Sequence, residues 1–229
     1  MISLIRRIVQ RLSSDFEIEF LRKKDFVPNM DYFSNVYKKQ LFGRSESASG
    51  PGSSIVAAAR VVAELPILLA KFSIKSIADV PCGDLNWLQN IDLEGINYSG
   101  YDIVPELVNL LADKYPSYRF SVLDASLEVL PKNDLIICRD LFVHLTIKQS
   151  CSTLKNFQES GSRYLLATTF TTIEKNEELV IPKIGVGWRP LNLEIAPFNL
   201  GKPIALINED SKERRGKYSD KSLGLWKIN

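Results

Sequence analysis

The sequence predicts an α/β domain: a doubly wound, seven-stranded, mostly parallel sheet with one antiparallel strand near the C-terminus, preceded by an N-terminal helical extension. Three observations predict it. From residue 76 onward, short apolar runs alternate with amphipathic ones, the texture of parallel strands covered by helices on both faces. Each of the first four runs ends on polar residues, at the edge where ligands bind in such sheets: Asp79 and Gly83, then Asp102, then Asp124, then Arg139 with Asp140. The last two runs are joined by the charged linker Glu209 to Lys217 with no predicted helix, so they read as a hairpin that reverses one strand.

A chain of 229 residues suits one such domain. It divides into residues 1–53, an N-terminal helical extension and lid loop, and residues 54–229, the α/β domain. Ile2, Ile5, Val9 and Leu12 stand at helical spacing with Arg6, Arg7 and Arg11 between them. That pattern fits a helix packed on the domain, a frayed end, or an interfacial helix touching a membrane surface. The arginines break the apolar run and no small-residue cleavage site follows, which argues against a signal peptide. Residues 30–41 predict a short amphipathic helix with Tyr32, Phe33, Val36 and Tyr37 on one side. Residues 44–54 form a small-residue loop ending in a serine N-cap, Ser54, before an alanine-rich helix that Pro66 is expected to split. Strands are expected at 76–80, 97–101, 119–123, 134–138 and 163–169, with helices between them, 104–114 and 147–159 the clearest. The first strand runs into a tight turn at Gly83 and is expected to enter a helix. Pro182, Gly185, Gly187, Pro190 and Pro197 make residues 171–202 a long ordered loop. Strands at 203–208 and 222–228 close the sheet.

Composition narrows the function classes. At 45% apolar and 24% charged, the chain is ordinary globular material. Its net charge of +2 is too balanced to argue for a nucleic-acid partner. The basic clusters Arg22–Lys24 and Lys212–Lys217 lack the interleaved aromatics of a single-strand reader and are expected to be solvated surface. Cys82, Cys138 and Cys151 match neither a disulfide framework nor a zinc pattern, so a cytoplasmic location is expected. No apolar run approaches the length of about eighteen residues that a membrane span needs. The sequence carries no signal for oligomeric state.

The stretch from Ser76 to Trp87, followed about twenty positions later by Asp102, is how α/β proteins hold nucleoside cofactors: a turn that exposes backbone N–H groups, then an acidic strand end. Taken singly, each aspartate reads as a helix N-cap; four successive strands obeying one rule do not. Asp102 suits ribose hydroxyls. Asp124, followed by Ala125 and Ser126, suits the exocyclic amine of an adenine. In these parts the chain from about residue 44 to 229 resembles the class I (Rossmann-like) S-adenosylmethionine-dependent methyltransferases. The resemblance rests on the glycine turn after strand one, the acidic end of strand two, Leu123-Asp124, and the closing hairpin ending in Leu223–Ile228. That family's turn reads acidic-x-Gly-x-Gly-x-Gly. Here Asp79 and Gly83 are kept, and Pro81 and Leu85 replace the outer glycines, which also weakens a dinucleotide reading because a pyrophosphate needs them.

The resemblance implies S-adenosylmethionine as cofactor. Asp79, Pro81, Cys82, Gly83 and Asp84 would hold its amino-acid part, Asp102 with Ile103 its ribose, Asp124 with Ala125 its adenine, and Arg139 would border it at the end of strand four. A second loop, with Gly50, Gly52 and Ser53, feeds a helix N-terminus and suits the methionine carboxylate, with Arg44 or Arg60 as charge partner; a flexible linker is the competing reading.

His144 is the only histidine. Four residues separate it from Asp140, so on a helical turn the two share a face, and a carboxylate beside an imidazole orients it and raises its basicity. His144 is expected to act as general base, with Asp140 orienting it or binding substrate; a structural histidine is the alternative. Two ligands on one turn do not complete a metal site, and no metal is expected. Trp188, Arg189 and Asn192, with Thr169 and more weakly Thr168 and Asn176, form a mixed aromatic and hydrogen-bonding surface expected to hold a small-molecule acceptor such as a sugar. No Asn/Asp-Pro-Pro-aromatic motif follows strand four, and Cys82 sits in the cofactor turn, so nucleic-acid bases are not the expected acceptors. The expected activity is O-methylation of a small polar acceptor such as a sugar or glycan precursor. The alternatives are N-methylation of a small molecule or protein side chain, and a non-catalytic cofactor-binding scaffold.

Overall fold

The computed structural model describes residues 27–43, 46–182 and 185–229. Arg44, the Met1–Leu12 stretch and the Arg22–Lys24 cluster lie outside them. The apolar runs form seven strands: β1 Ser76–Asp79, β2 Asn97–Asp102, β3 Arg119–Val122, β4 Leu135–Cys138, β5 Tyr164–Phe170, β6 Ala205–Asn208 and β7 Lys221–Lys227. Their order across the sheet is β3-β2-β1-β4-β5-β7-β6. The first five pair in parallel, and β7 lies antiparallel to both β5 and β6. The sheet is the one the sequence predicts, with the reversed strand supplied by the closing hairpin.

Helices α1 Met30–Lys38, α2 Ala59–Lys71, α3 Pro105–Lys114, α4 Ile147–Glu159 and α5 Glu213–Gly216 accompany it. Strand β4 shows why both faces are covered. Leu135 and Ile137 point into one apolar cluster with Leu65 and Leu69 of α2 and Leu107 and Leu111 of α3. Ile136 and Cys138 point into the other with Leu154 and Phe157 of α4. All four β4 side chains are buried, as a central parallel strand requires. The long loop after β5 completes the second face by burying Leu191, Leu193 and Phe198. Local signals set the helix starts. Thr146 and Gln149 form a capping box on α4, and the Asn29 side chain accepts the Tyr32 N–H at 3.0 Å ahead of α1.

Three expectations about helices need correction. Pro66 does not split α2, which runs through it from Ala59 to Lys71. The proline sits on the exposed side, while Val61, Leu65, Leu68 and Leu69 bury the opposite stripe and hold the helix together despite one missing backbone bond. The chain after β1 does not enter an α-helix. Leu85 takes a left-handed φ of 58°, and the side chains of Gln89 and Asn90 each donate to the Asn86 carbonyl at 3.0 Å. Those local bonds compete with helix propagation, and one 3-10 turn, Leu88–Asn90, remains. Ser54 is not the N-cap of α2, which is Ala58; its Oγ accepts the Ala57 N–H at 3.2 Å in the turn that precedes the helix.

Candidate active site

The carboxyl ends of β1, β2 and β4 border an open cleft of about 870 Å³, its solvent-facing mouth included. A smaller hollow of about 360 Å³ adjoins it, sharing Phe33, Pro81, Asp102, Ile103 and Leu141, and extends to Asp124 and Ala125 after β3. The turn after β1 forms one wall. Cys82 N–H donates to the Tyr101 carbonyl at 2.8 Å, and Gly83, at φ 55°, donates its N–H to Asp102 Oδ2 at 3.1 Å. A Cβ on Gly83 would stand 2.4 Å from Ser49 Oγ, so glycine is needed for both the backbone angle and the fit of the loop above it. Asp102 Oδ1 accepts the Val104 N–H at 3.0 Å. Burial pushes the Asp102 carboxyl up to about 6, and these backbone donors limit the rise. A carboxylate offers about four acceptor sites, so capacity remains for hydroxyl donors in the cleft.

Asp84 joins this turn to the loop at residues 47–49. It accepts Ser47 Oγ–H at 2.9 Å and the Ala48 N–H at 2.6 Å, which places Ala48, Ser49 and Ser53 on the cleft wall. Asp124 holds the far end. Its Oδ1 accepts both the N–H and the hydroxyl of Ser126, at 2.9 and 2.7 Å, leaving Oδ2 as the outer acceptor.

Behind the cleft, at the carboxyl end of β4, lies a buried ionic network. Arg139 Nη2 meets Glu209 Oε2 at 2.6 Å, and its Nε meets Oε1 at 3.3 Å. Lys221 Nζ meets Asp140 Oδ2 at 2.7 Å and Glu209 Oε2 at 3.5 Å. Burial would raise the Asp140 carboxyl, but Lys221 and Arg139 overcome it and hold it down at about 2. Arg139 Nη2 also donates to the Gly52 carbonyl at 2.7 Å, tying the lid loop to the sheet.

His144 ends a 3-10 turn, Phe142–His144, and lines the cleft. Its Nδ1 is 2.6 Å from the Gly187 carbonyl oxygen. A carbonyl only accepts, so Nδ1 carries the proton and Nε2 keeps its lone pair. Burial lowers the imidazole pKa below its ordinary 6.5, and the ring is neutral at pH 7. The expected Asp140–His144 pair does not form. Asp140 takes a left-handed φ of 60° outside any helical turn and gives its carboxylate to Lys221. The orienting partner of the imidazole is the Gly187 peptide.

Several solved structures that share this architecture are methyltransferases. Magnesium protoporphyrin IX methyltransferase from Synechocystis PCC 6803 with bound SAH matches with a TM-score of 0.57 at 14% identity, over 86% of this chain and 97% of that one. A S-adenosylmethionine-dependent methyltransferase from Clostridium acetobutylicum ATCC 824 matches with a TM-score of 0.53 at 14% identity, over 86% and 98%. This chain has the class I methyltransferase fold. No protein-family model and no curated protein sequence matches it.

Within the methyltransferase fold, the cleft brings together Pro81, Cys82, Gly83, Asp84, Asp102 and Ile103 with Ser53, Arg139, Asp140 and His144. Asp124 and Ala125 line the adjoining hollow. Other expected residues lie elsewhere. Asp79 sits beneath the turn, accepts the Tyr98 hydroxyl at 2.8 Å, and is pushed up to about 7 by burial. Gly50 packs beneath Phe42, and Gly52 contributes its carbonyl to Arg139. Arg60 is a correction: it pairs with Glu64 at 2.9 Å on the exposed face of α2, one turn along its own helix, and does not reach the lid loop.

The four expected acceptor residues are also corrections. Arg189 donates to the carbonyls of Glu177 and Phe142 at 2.7 and 3.0 Å. Asn192 bonds the Ile173 carbonyl at 2.9 Å, and Thr169 Oγ1 accepts the Leu193 N–H at 3.1 Å. Trp188 packs edge-on to Phe170 and against Tyr218. None of the four lines the cleft; the polar atoms of Arg189, Asn192 and Thr169 hold the long loop to itself and to the sheet. Asn176 belongs to the same loop scaffold, and Thr168 Oγ1 accepts the Asp140 N–H at 2.9 Å.

Sequence reasoning missed Phe42 and Trp87, and it set Phe33 and Tyr37 on one side of their helix without giving that side a role; both line the cleft. It also missed Glu209 and Lys221. Their signal was available: a charged residue directly after β6 and another at the start of the reversed β7 both fall on the binding edge of the sheet. Among the described residues no cluster of His, Cys, Asp or Glu is arranged to hold a metal, and no helix is long and apolar enough to cross a membrane.

Proposed function

We propose that this chain is a S-adenosylmethionine-dependent methyltransferase acting on a hydroxyl of a small polar acceptor, with His144 as general base. One observation carries the reading: His144, held in the Nδ1–H tautomer by the Gly187 carbonyl, lines the same cleft as the Gly83 turn and Asp102. The residues present fit the cofactor. The turn at 81–84 and the loop at 48–53 face its amino-acid end, Asp102 keeps acceptor capacity for its ribose, and Asp124 Oδ2 suits its adenine amine. Asp84 and Asp102 add two carboxylates to a wall whose Arg139 and Asp140 are balanced by Glu209 and Lys221, and the resulting field favours a cation.

When bound, S-adenosylmethionine supplies a methyl group activated by a positive sulfur. The chain's part is to hold the acceptor in line and to take the hydroxyl proton at His144 Nε2. A neutral imidazole with a lowered pKa performs this at neutral pH without itself being protonated first. The residues that suggested a sugar pack away from the cleft, so a sugar or glycan precursor becomes one arm of an acceptor screen beside phenols and amines. Cys82, Cys138 and Cys151 are free thiols, which fits the cytoplasmic setting of this reading.

Calorimetric titration with S-adenosylmethionine, S-adenosylhomocysteine and NAD tests the cofactor. Micromolar binding of the two sulfur nucleosides, lost in Asp102→Ala, is expected; binding of NAD alone, or of nothing by folded protein, would sink the reading. In the acceptor screen, His144→Ala should keep cofactor binding and lose about 10²–10⁴-fold in turnover. Undiminished turnover in that variant would favour N-methylation of an amine that needs no base.

A further inference from the structure

We propose that Tyr32 is a positioning residue for His144, acting through the backbone of Gly187. The inference rests on the proposed role of His144 as the base. Three remote parts of the chain meet at this one residue: helix α1, the 3-10 turn after β4, and the long loop after β5. The Tyr32 hydroxyl accepts the Gly187 N–H at 3.2 Å, and the Gly187 carbonyl accepts from His144 Nδ1 at 2.6 Å. That N–H and that carbonyl belong to successive peptide planes hinged at the Gly187 Cα. The Tyr32 bond before the carbonyl and the Arg189 N–H bond to the Val143 carbonyl after it bracket the second plane and set where its oxygen stands.

The surroundings leave this residue little freedom. Tyr32 and Gly187 are both buried. Arg189 N–H donates to the Val143 carbonyl at 3.1 Å and Arg189 Nη1 to the Phe142 carbonyl at 3.0 Å, fastening the loop to the turn that carries His144. A Cβ at Gly187 would stand 2.5 Å from Ile181 Cδ1, so the backbone here packs closely on that side chain. A buried N–H must find an acceptor. Without the Tyr32 hydroxyl, the 186–187 plane shifts to find another acceptor, the glycine torsions let the next plane follow, the Gly187 carbonyl leaves Nδ1, and the imidazole proton redistributes to Nε2. In that tautomer the second ring nitrogen donates and no longer serves as a base. Because α1 also places Phe33 and Tyr37 on the cleft, its docking closes the site and sets the base in one event.

His144 is the only histidine, so its ring nitrogens give the only imidazole signals in a ¹⁵N spectrum of the full chain. Wild-type protein should show Nδ1 protonated and Nε2 bare at pH 7.5. Tyr32→Phe should shift the tautomer ratio about fivefold toward Nε2–H, the effect of one hydrogen bond of ordinary strength. It should also move the imidazole midpoint further down, because the Gly187 carbonyl, together with the charge of Asp140, favours the protonated ring against the burial and the charges of Lys221 and Arg189. Val36→Ala, in the buried stripe of the same helix, should lower the melting temperature and leave the ratio unchanged. An Nε2–H tautomer in wild-type protein overturns the proposal whatever the variants do. So does a wild-type ratio in folded Tyr32→Phe, or an equal shift in Val36→Ala. Failure of wild-type protein to bind S-adenosylmethionine would sink the enzymatic reading and leave the tautomer result standing, so the two failures are distinguishable.

Discussion

Asp79 and Asp102 end adjacent strands, are both buried, and do different work because of what touches them. Asp102 takes two backbone N–H donors and faces the cleft. Asp79 takes one tyrosine hydroxyl and lies beneath it. Its carboxyl is pushed up to about 7 from 3.8, by burial and then by the negative charge of Asp102, against the Tyr98 hydrogen bond. The sign of the consequence follows from proton binding. Between pH 4 and 7 the folded chain holds a proton at Asp79 that the unfolded chain has lost, so this group's contribution to stability falls as pH rises through that window. Asp79→Asn keeps an acceptor for Tyr98 and removes the buried charge. Thermal melts should show the variant more stable by about 2 kcal/mol at pH 8 and nearly level with wild type at pH 4.5. Parallel curves across this range would mean that Asp79 is ionised in the folded protein throughout.

At the scale of elements, the site depends on the turn after β1 and on the lid loop above it. The 47–49 segment is fastened to the turn after β1 by Asp84, through Ser47 and the Ala48 N–H. Asp84→Ala should loosen that segment and weaken S-adenosylmethionine binding about tenfold, the worth of one or two charge-assisted bonds. The melting temperature should drop only slightly, since Asp84 supports no core side chain. Calorimetry with limited proteolysis at residues 46–53 reads both effects, and unchanged affinity would remove this loop from the site. Strands were legible because burial on both faces demands continuous apolar runs, and their ends were legible because a polar residue there has few other uses. The segment after β1 was misread as helical because the left-handed backbone of Leu85 is set by its packing, which spacing does not reveal. The Gly187–Leu193 loop was misread as acceptor surface for a related reason. Asparagine, arginine and threonine among aromatics are also what a long loop needs to satisfy its own carbonyls, as Asn192 and Arg189 do. His144 was legible as a lone imidazole beyond β4, but its true partner lies 43 residues away, beyond any local pattern.

For the whole molecule, the Arg139–Glu209–Lys221–Asp140 network joins the end of β4, both strands of the closing hairpin, and, through Gly52, the lid loop. Two cations and two anions balance, and the side chains of Arg139, Glu209 and Lys221 are almost wholly buried. Burying them costs desolvation that their attraction only roughly offsets, whereas removing one partner leaves an uncompensated charge in the interior. Glu209→Gln should therefore cost about 3 kcal/mol in urea unfolding. It should also weaken cofactor binding, because Arg139 loses its bidentate partner and with it the fixed position from which it holds Gly52. Replacing both members, Arg139→Met with Glu209→Leu, leaves Lys221 paired with Asp140 and removes the orphan charge. Most of the lost stability should return in this double variant, and the lost affinity should not, since nothing then ties the lid loop to β4. Recovery of both would reduce the network to a packing feature of the hairpin. Recovery of stability alone would show that the sheet's closing hairpin reaches the cofactor through a guanidinium, and that the antiparallel strand of this fold has a task at the cleft as well as at the sheet's edge.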